Sequence, residues 1–265
     1  MDILTHTLSG IAAGTVAASF SNGNLRKKLI ISASGGIGGF FPDLDVISLW
    51  SGFDKTLGRI FNLSHSGKEI FFGNFWYSHH GILHSVAGTL ISALIFAFLF
   101  YILKNRFRKL SADGLLLFLK NNILVLTAFI TGAVIHSIED MPTPGGPWGG
   151  VMFFFPITKF YGGTGDIWWW NNYDIFLIVS ATVFVNLSLL LISERTVMWF
   201  RKLIPVIFLA AAGLIIFQIS SRSYNFNVKG TKNHEVVSKE IQKRILGDRL
   251  FNVMVNIDNK IRISF

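Results

Sequence analysis

The amino-acid sequence predicts an all-α fold, a polytopic membrane helical bundle of about six membrane segments with a small C-terminal α+β tail module. Three observations lead to this prediction. Hydrophobic residues make up 51% of the 265 residues and charged residues only 15%, whereas soluble domains carry about a quarter charged residues. Apolar stretches recur at lengths close to the roughly 20 residues that a helix needs to cross a bilayer. Lys and Arg residues cluster in alternate connections between these stretches.

Six apolar segments are expected in the membrane. The first, residues 4–20, is rich in Gly and Ala, which suits close helix packing. The second, residues 29–41, contains four glycines and is interpreted either as a short, tightly packed helix or as a re-entrant piece. The four stronger segments are 81–103, 114–138, 175–193 and 203–220.

The positive charges predict the orientation of the bundle, because cytoplasmic connections of membrane proteins are enriched in Lys and Arg. Connections 21–28, 104–122 and 194–202 hold eleven such residues, whereas 42–80 and 139–174 hold four. We therefore expect an integral, multi-pass protein of the inner cell membrane. The second set of connections and both termini are expected on its periplasmic or extracellular side.

The tail is predicted to be a separate unit, so that residues 1–220 form the membrane domain and 221–265 a small soluble module. Residues 234–246 have helical spacing. Residues 250–265 alternate around a turn at Asp258 and Asn259, which predicts a β-hairpin.

The absence of cysteine restricts the chemistry of any metal site. Disulfides and thiolate ligands are excluded, so a metal must be held by His, Asp, Glu or water. The net charge of +9 is assigned to the cytoplasmic connections, and no nucleic-acid partner is expected. Membrane lipids are the expected partners, and the oligomeric state is left open.

Candidate metal ligands stand at the ends of the apolar segments, where ionisable groups are costly and usually functional. The threading brings five short stretches to the same outer face of the bundle, which predicts a metal site. These stretches are residues 5–6, 42–45, 79–85, 136–140 and 143–146.

Spacing supports each candidate, although each also has a simpler interpretation. His80 and His84 are four residues apart at an expected helix start and would share one face, with His79 joining from the first turn; alternatively, they form a histidine cluster without metal. His136 and Asp140 repeat this spacing at a helix end and suit a divalent ion, or Asp140 holds a turn.

The remaining acids are open to similar alternatives. Asp43 and Asp45 could ligate or bridge paired metals, or cap a turn. Glu139 could be a general base or a solvated neighbour of the site. His6 is unremarkable alone, and His65 is a reserve candidate on the same side.

These motifs resemble the YdjM-like family, LexA-regulated and inner-membrane-associated proteins regarded as metal-dependent hydrolases. The resemblance covers residues 1–160, with departures at His80, where the family commonly has Arg, and at Leu83, where it commonly has Thr. It rests on residues 1–10, Pro42-Asp43-Leu44-Asp45, His79-x-Gly81-x-x-His84-Ser85, His136-x-x-x-Asp140-x-x-Thr143-x-x-Gly146 and Phe154-Phe155-Pro156.

That family is distantly similar to zinc-dependent phospholipases C and single-strand nucleases, so the resemblance implies metal-assisted hydrolysis, most naturally of a phosphoester. On the matching positions it implies seven ligands, which are His6, Asp43, Asp45, His79, His84, His136 and Asp140. Two or three Zn²⁺ ions are the expected cofactor, while the carboxylates leave Mn²⁺ or Mg²⁺ open.

The sequence as a whole predicts a membrane-bound, metal-dependent hydrolase acting on a lipid or headgroup phosphoester at the outer membrane–water interface. His80 is added to the ligands, and Asp45 or Glu139 is the candidate proton acceptor. The alternative is a non-enzymatic metal-binding or envelope-stress protein whose site is structural or degenerate. A transporter is disfavoured, because the segments after Gly114 carry no mid-membrane charge beyond Lys120 at the start of one.

Overall fold

The computed structural model describes residues 3–105, 110–143, 149–163, 172–195, 198–221 and 231–261. Within these ranges the chain is helical, with one isolated β-bridge between Val151 and Tyr161. The helices are α1 (Ile3–Ser19), α2 (Leu25–Phe40), α3 (Gly67–Phe72), α4 (Val86–Lys104), α5 (Ala112–Asn121), α6 (Ile123–Glu139), α7 (Tyr173–Arg195), α8 (Leu203–Ser221) and α9 (Thr231–Ile261). Shorter 3-10 helices occupy Phe41–Leu49, Ile82–His84 and Met198–Lys202.

Helices α1, α2 and α6 pack backbone against backbone. A Cβ added at Gly35 would overlap the carbonyl oxygen of Gly10, and one added at Gly132 would overlap the carbonyl oxygen of Gly35. Small residues allow this close approach of helices. The glycine-rich second segment is therefore a packed helix, as one of the two sequence interpretations proposed.

The helix directions bring four chain segments to one end of the bundle. Helix α1 begins there, α2 ends there, α4 begins there and α6 ends there, as shown by contacts between His6 and Glu139 and between His84 and His136. We call this the site end. Phe96 in the middle of α4 stacks on Phe129 in α6 at 4.6 Å, so these two helices stay in contact away from the site.

In the part of the chain that the structure describes, four helical stretches are long and apolar enough to cross a membrane, namely Leu25–Leu49, Val86–Lys104, Tyr173–Ser193 and Trp199–Ser221. A fifth is obtained if α5 and α6, bent by 74° relative to each other, form one span. The expected number of about six is therefore too high. Helix α1 has only 17 residues, and more than half of them are buried inside the bundle.

The second segment continues beyond its expected end. Residues Phe41–Leu49 form a 3-10 helix directly after α2, with Pro42 at its start, where the missing N–H of proline is tolerated. Asp43 and Asp45 therefore lie inside the apolar helical stretch Leu25–Leu49. The sequence had instead predicted that they follow the end of the second segment, at residue 41.

The predicted β-hairpin in the tail is wrong. The helical spacing of residues 234–246 continues through Ile261, interrupted at Gly247 by a φ of 72°. Phe251 packs its ring 5.7 Å from the Tyr173 ring, and Met254 is buried. Residues 251, 254 and 258 follow helical spacing, which the apparent alternation of apolar residues had concealed.

Polar contacts attach α9 to the start of α7. The backbone N–H of Tyr173 donates to Gln242 Oε1 at 2.9 Å, and the Tyr173 hydroxyl donates to Asp258 Oδ2 at 2.7 Å. The Ser238 hydroxyl donates to Asn172 Oδ1 at 3.1 Å. The tail is therefore in contact with the membrane bundle at its site end.

Candidate metal centre

Helices α1 and α6 contribute three ligand candidates that are in contact. His136 and Asp140 are one helical turn apart, and His136 Nε2 lies 3.1 Å from Asp140 Oδ2. His6 Nε2, from the first turns of α1, lies 3.3 Å from Asp140 Oδ1. The structure therefore brings His6 to the pair whose spacing the sequence had identified.

The three histidines of residues 79–85 converge from a loop, contrary to the prediction that they start a helix. His79 and His80 lie in turns and His84 ends a 3-10 helix, while Ser85 caps α4 by accepting the N–H of Gly88 at 2.9 Å. The ring centroids of His79 and His84 are 5.1 Å apart, and those of His80 and His84 are 4.9 Å apart. His80 adopts a φ of 64°, a conformation that costs energy for a residue other than glycine.

Asp43 and Asp45 face these histidines from the 3-10 helix after α2. Asp43 Oδ1 lies 3.7 Å from His84 Nε2 and 3.5 Å from His136 Nε2. Asp45 Oδ1 lies 2.9 Å from His79 Nδ1. Asp45 Oδ2 lies 3.7 Å from His84 Nδ1, so the two acids face opposite ring nitrogens of His84.

All eight sequence-derived ligand candidates meet in one cluster. Among the described residues, four groups of three side chains have ligand atoms within 4.8 Å of one another, and the groups overlap at His79, Asp43, His84 and His136. The groups are His79/His80/His84, His6/His136/Asp140, Asp43/His84/His136 and Asp43/Asp45/His79.

Burying these ionisable side chains without a cation costs free energy, because their polar atoms lose contact with water. His84 and His136 are fully buried and Asp43 is 1% exposed. Among the described residues, Oδ2 of Asp43, Asp45 and Asp140 and Nδ1 of His84 are buried with no hydrogen-bond partner. Unsatisfied buried carboxylate oxygens are rare and need an explanation. A divalent ion bound between these oxygens and imidazoles would satisfy them, so the residues fit a metal site.

Several imidazoles are oriented by an acceptor at Nδ1. His136 Nδ1 lies 2.6 Å from the carbonyl oxygen of Gly39, His80 Nδ1 lies 3.0 Å from that of Gly150, and His6 Nδ1 lies 2.7 Å from Glu139 Oε2. Each ring that donates from Nδ1 presents the lone pair of Nε2. This arrangement is typical of metal-binding histidines.

The loop histidines are kept neutral by their surroundings. Burial lowers the pKa of His79 to about 4, and burial also lowers the pKa values of His80 and His84. Neutral imidazole is the form that ligates a metal. These side chains are therefore prepared to bind a cation at neutral pH.

Two other residues singled out in the sequence, His65 and Thr143, are not among the ligand candidates that meet in the cluster. His65 hydrogen-bonds Tyr77 and Ser64 and does not join the site. Thr143 is buried and donates to the carbonyl oxygen of Asp140 at 2.6 Å. Gly145 and Gly146 of the fifth stretch lie outside the described residues.

Sequence reasoning named Glu139 as a candidate base but missed its contact with His6, and it missed the backbone groups that support other ligand candidates. Glu139 is buried and bonded to His6, so its interpretation as a solvated neighbour is wrong. Gly39 and Gly150 act through their backbone oxygens, which no side-chain pattern reveals. The position of Glu139 directly before Asp140 was the one available signal.

A family profile described as "YdjM inner membrane protein" matches residues 1–224. No curated protein matches the chain, and no solved structure matches it. The matched region contains all eight ligand candidates and ends before α9.

Proposed function

The chain belongs to the YdjM inner membrane protein family, and we propose that it is a membrane-bound, metal-dependent hydrolase that cleaves phosphoesters at the membrane surface. One observation carries the proposal. Four separate chain segments converge on a cluster of buried imidazoles and carboxylates, in which Oδ2 of Asp43, Asp45 and Asp140 has no hydrogen-bond partner among the described residues.

The residues of the site would share the work as follows. Divalent ions held by such a ligand set polarise a phosphoryl oxygen and make water a nucleophile at neutral pH. His6, Asp43, His84, His136 and Asp140 would form the centre of that set, with His79 and His80 at its loop side. Zn²⁺ is favoured by the many imidazoles, while Mn²⁺ and Mg²⁺ fit the carboxylates.

Asp45 is the better candidate proton acceptor of the two acids. Its Oδ1 accepts from His79, whereas its Oδ2 has no hydrogen-bond partner among the described residues. Its side chain is 11% exposed, against 1% for Asp43. A general base must reach both water and the reacting group, which favours Asp45.

A lipid or lipid-headgroup phosphoester is the substrate class that we propose. The ligand candidates lie where apolar helices begin or end, and Asp43 and Asp45 lie within an apolar stretch. A centre at this depth is more accessible to headgroup phosphates than to solutes far from the bilayer. The positive charges of the other connections favour a periplasmic or extracellular position for this end.

The burial of the centre supports a second candidate function. Structural metal sites are closed, whereas catalytic sites keep an open coordination position. Because His84 and His136 are fully buried, a non-enzymatic protein that uses the metal to hold the bundle together is the alternative.

Hydrolysis of a phosphoester panel separates the two functions. Purified protein in lipid nanodiscs is supplied with Zn²⁺, Mn²⁺ or Mg²⁺ and tested on bis(p-nitrophenyl) phosphate and on phosphatidylglycerol and phosphatidic acid. We expect metal-dependent cleavage that Asp43→Asn removes and Asp113→Asn, an exposed change in the first turn of α5, leaves intact. Bound metal without cleavage of any ester would support the structural alternative.

The role of Glu139 is tested by Glu139→Gln. The amide lacks the negative charge and can present an N–H to His6, which favours the wrong tautomer. We expect Zn²⁺ affinity, measured by chelator competition at neutral pH, to fall by roughly 10–100-fold. The control is Glu69→Gln. Glu69 is exposed, and glutamine can keep the capping box that Glu69 forms with Ser66 at the start of α3. Unchanged affinity with lost hydrolysis would instead identify Glu139 as the base.

A further inference from the structure

Beside the metal centre, the loops of the site end expose a group of large apolar side chains. Trp76, Phe154 and Ile157 are 52%, 50% and 58% exposed. Phe155 lies between them in sequence, and its ring is 6.0 Å from that of Trp76. We call Trp76, Phe154, Phe155 and Ile157 the apolar patch. Such a group on a loop surface indicates an interaction site.

The patch is built on the same backbone that positions the loop histidines. The N–H of Ile82 donates to the carbonyl oxygen of Trp76 at 2.7 Å, and the N–H of Met152 donates to that of His80 at 2.9 Å. The carbonyl oxygen of Gly150 accepts a hydrogen bond from Nδ1 of His80. The apolar patch and the metal centre therefore form one connected unit.

The patch also continues the surface of a membrane helix. The N–H of Val86, the first residue of α4, donates to the carbonyl oxygen of Phe153 at 3.0 Å. Helix α4 is one of the stretches apolar enough to cross a membrane, and its exposed side chains include Leu90 at 50% and Leu94 at 64%. Phe154 therefore comes directly after Phe153, whose carbonyl oxygen is hydrogen-bonded to the first residue of α4.

The residues around the patch have the composition of a membrane interface. The Tyr161 ring lies 5.3 Å from the Phe154 ring, and Lys159 Nζ lies 5.3 Å from the centroid of Tyr161. Aromatic rings with a polar or charged end are enriched at headgroup level, and a lysine stem can follow apolar surface while its charge meets phosphate. The occupant that fits is lipid.

We propose that the apolar patch is inserted into the leaflet at the site end, at the boundary between headgroups and acyl chains. It holds the neighbouring metal centre at the depth of the lipid phosphates. Insertion is inferred only from the exposure, contacts and composition of the loops and does not depend on the proposed function. The consequence, that the patch presents membrane phosphoesters to the centre, rests on the proposed function.

The cysteine-free chain permits a direct test of insertion. Single cysteines are placed at Phe154, Ile157 and, as a lipid-facing reference, Leu94. Lys68→Cys, at an exposed position of α3, is the aqueous reference. Each variant is labelled with an environment-sensitive fluorophore in phosphatidylglycerol–phosphatidylethanolamine vesicles, and quenching by doxyl-labelled lipid is compared with quenching by iodide.

We expect labels at Phe154 and Ile157 to respond like the Leu94 label, with strong quenching by doxyl lipid and weak quenching by iodide. Iodide quenching equal to that of the Lys68 label would overturn the proposal. Protection from both quenchers would also overturn it, because it would show that protein covers the patch. The same measurement on Asp43→Asn is expected to give the same result, so insertion is judged independently of the metal centre.

The consequence for substrate has its own readout. Phe154→Ser is expected to reduce hydrolysis of vesicle-embedded phosphatidylglycerol by about tenfold, as estimated from the lost apolar burial, while hydrolysis of soluble bis(p-nitrophenyl) phosphate stays unchanged. Equal loss on both esters would contradict presentation of lipid by the patch. A protein that cleaves neither ester would instead contradict the proposed function and leave the quenching result standing.

Discussion

Replacing His84 with alanine is expected to remove most of the bound metal from the purified protein. His84 belongs to two of the four ligand groups. Its Nε2 lies 3.4 Å from Asp140 Oδ2, 3.7 Å from Asp43 Oδ1 and 3.2 Å from His136 Nε2. The loss should exceed the roughly 10–100-fold effect of removing a supporting partner, because a side chain common to two of the candidate ligand groups is deleted.

Metal analysis by mass spectrometry after exhaustive dialysis measures this effect. His65→Ala is the matched control. His65 lies in the connection between α2 and α4, and its described hydrogen bonds are to Ser64 and Tyr77, which do not belong to the cluster. Far-ultraviolet circular dichroism verifies that both variants stay helical. Equal metal content in wild type, His84→Ala and His65→Ala would refute the metal centre.

Alanine at Gly35 or Gly132 is expected to destabilise the bundle strongly. The added Cβ would meet backbone atoms of the neighbouring helix, which cannot rotate away as a side chain can. Overpacking of this kind costs about 1–3 kcal/mol or more. The change at Gly132 also lies one turn before His136, whose ring contacts Gly39 of the same neighbouring helix, so metal binding should weaken together with stability.

Gly213→Ala supplies the matched control for the packing prediction. Gly213 lies inside α8, and nothing lies within 4 Å of a Cβ added there. Alanine should be neutral or stabilise that helix by up to about 1 kcal/mol. Thermal unfolding in detergent should give a lower midpoint for Gly35→Ala and Gly132→Ala than for Gly213→Ala. Similar midpoints for all three variants would show that the helices can separate without cost.

The sequence predicted the positions of the ligand candidates because their determinants are local or follow from helix direction. His136 and Asp140 are one turn apart on any helix, and the alternation of apolar segments places His6, Asp43 and His84 at the same end. The number of membrane segments was overestimated, since periodicity and length do not show that α1 is buried among its neighbours.

Other features depend on tertiary contacts that leave little trace in sequence. The left-handed backbone of His80 is stabilised by contacts with Gly150 and Met152, which are about 70 residues away. The helical conformation of residues 250–261 depends on packing of Phe251 and Asp258 against Tyr173, whereas the local pattern favoured alternation. Whether an ion occupies the cluster, and which one, is likewise decided by chemistry beyond spacing.

The docking of α9 has a consequence for how this protein can diverge from its relatives. The long connection that leaves the centre at Asp140 rejoins the bundle at Asn172 and Tyr173, and these two residues are tied to Ser238, Gln242 and Asp258 of α9. The family-matched region ends before this helix. Changes confined to the C-terminal helix can therefore retune the anchoring of this connection while all eight candidate ligands are inherited unchanged.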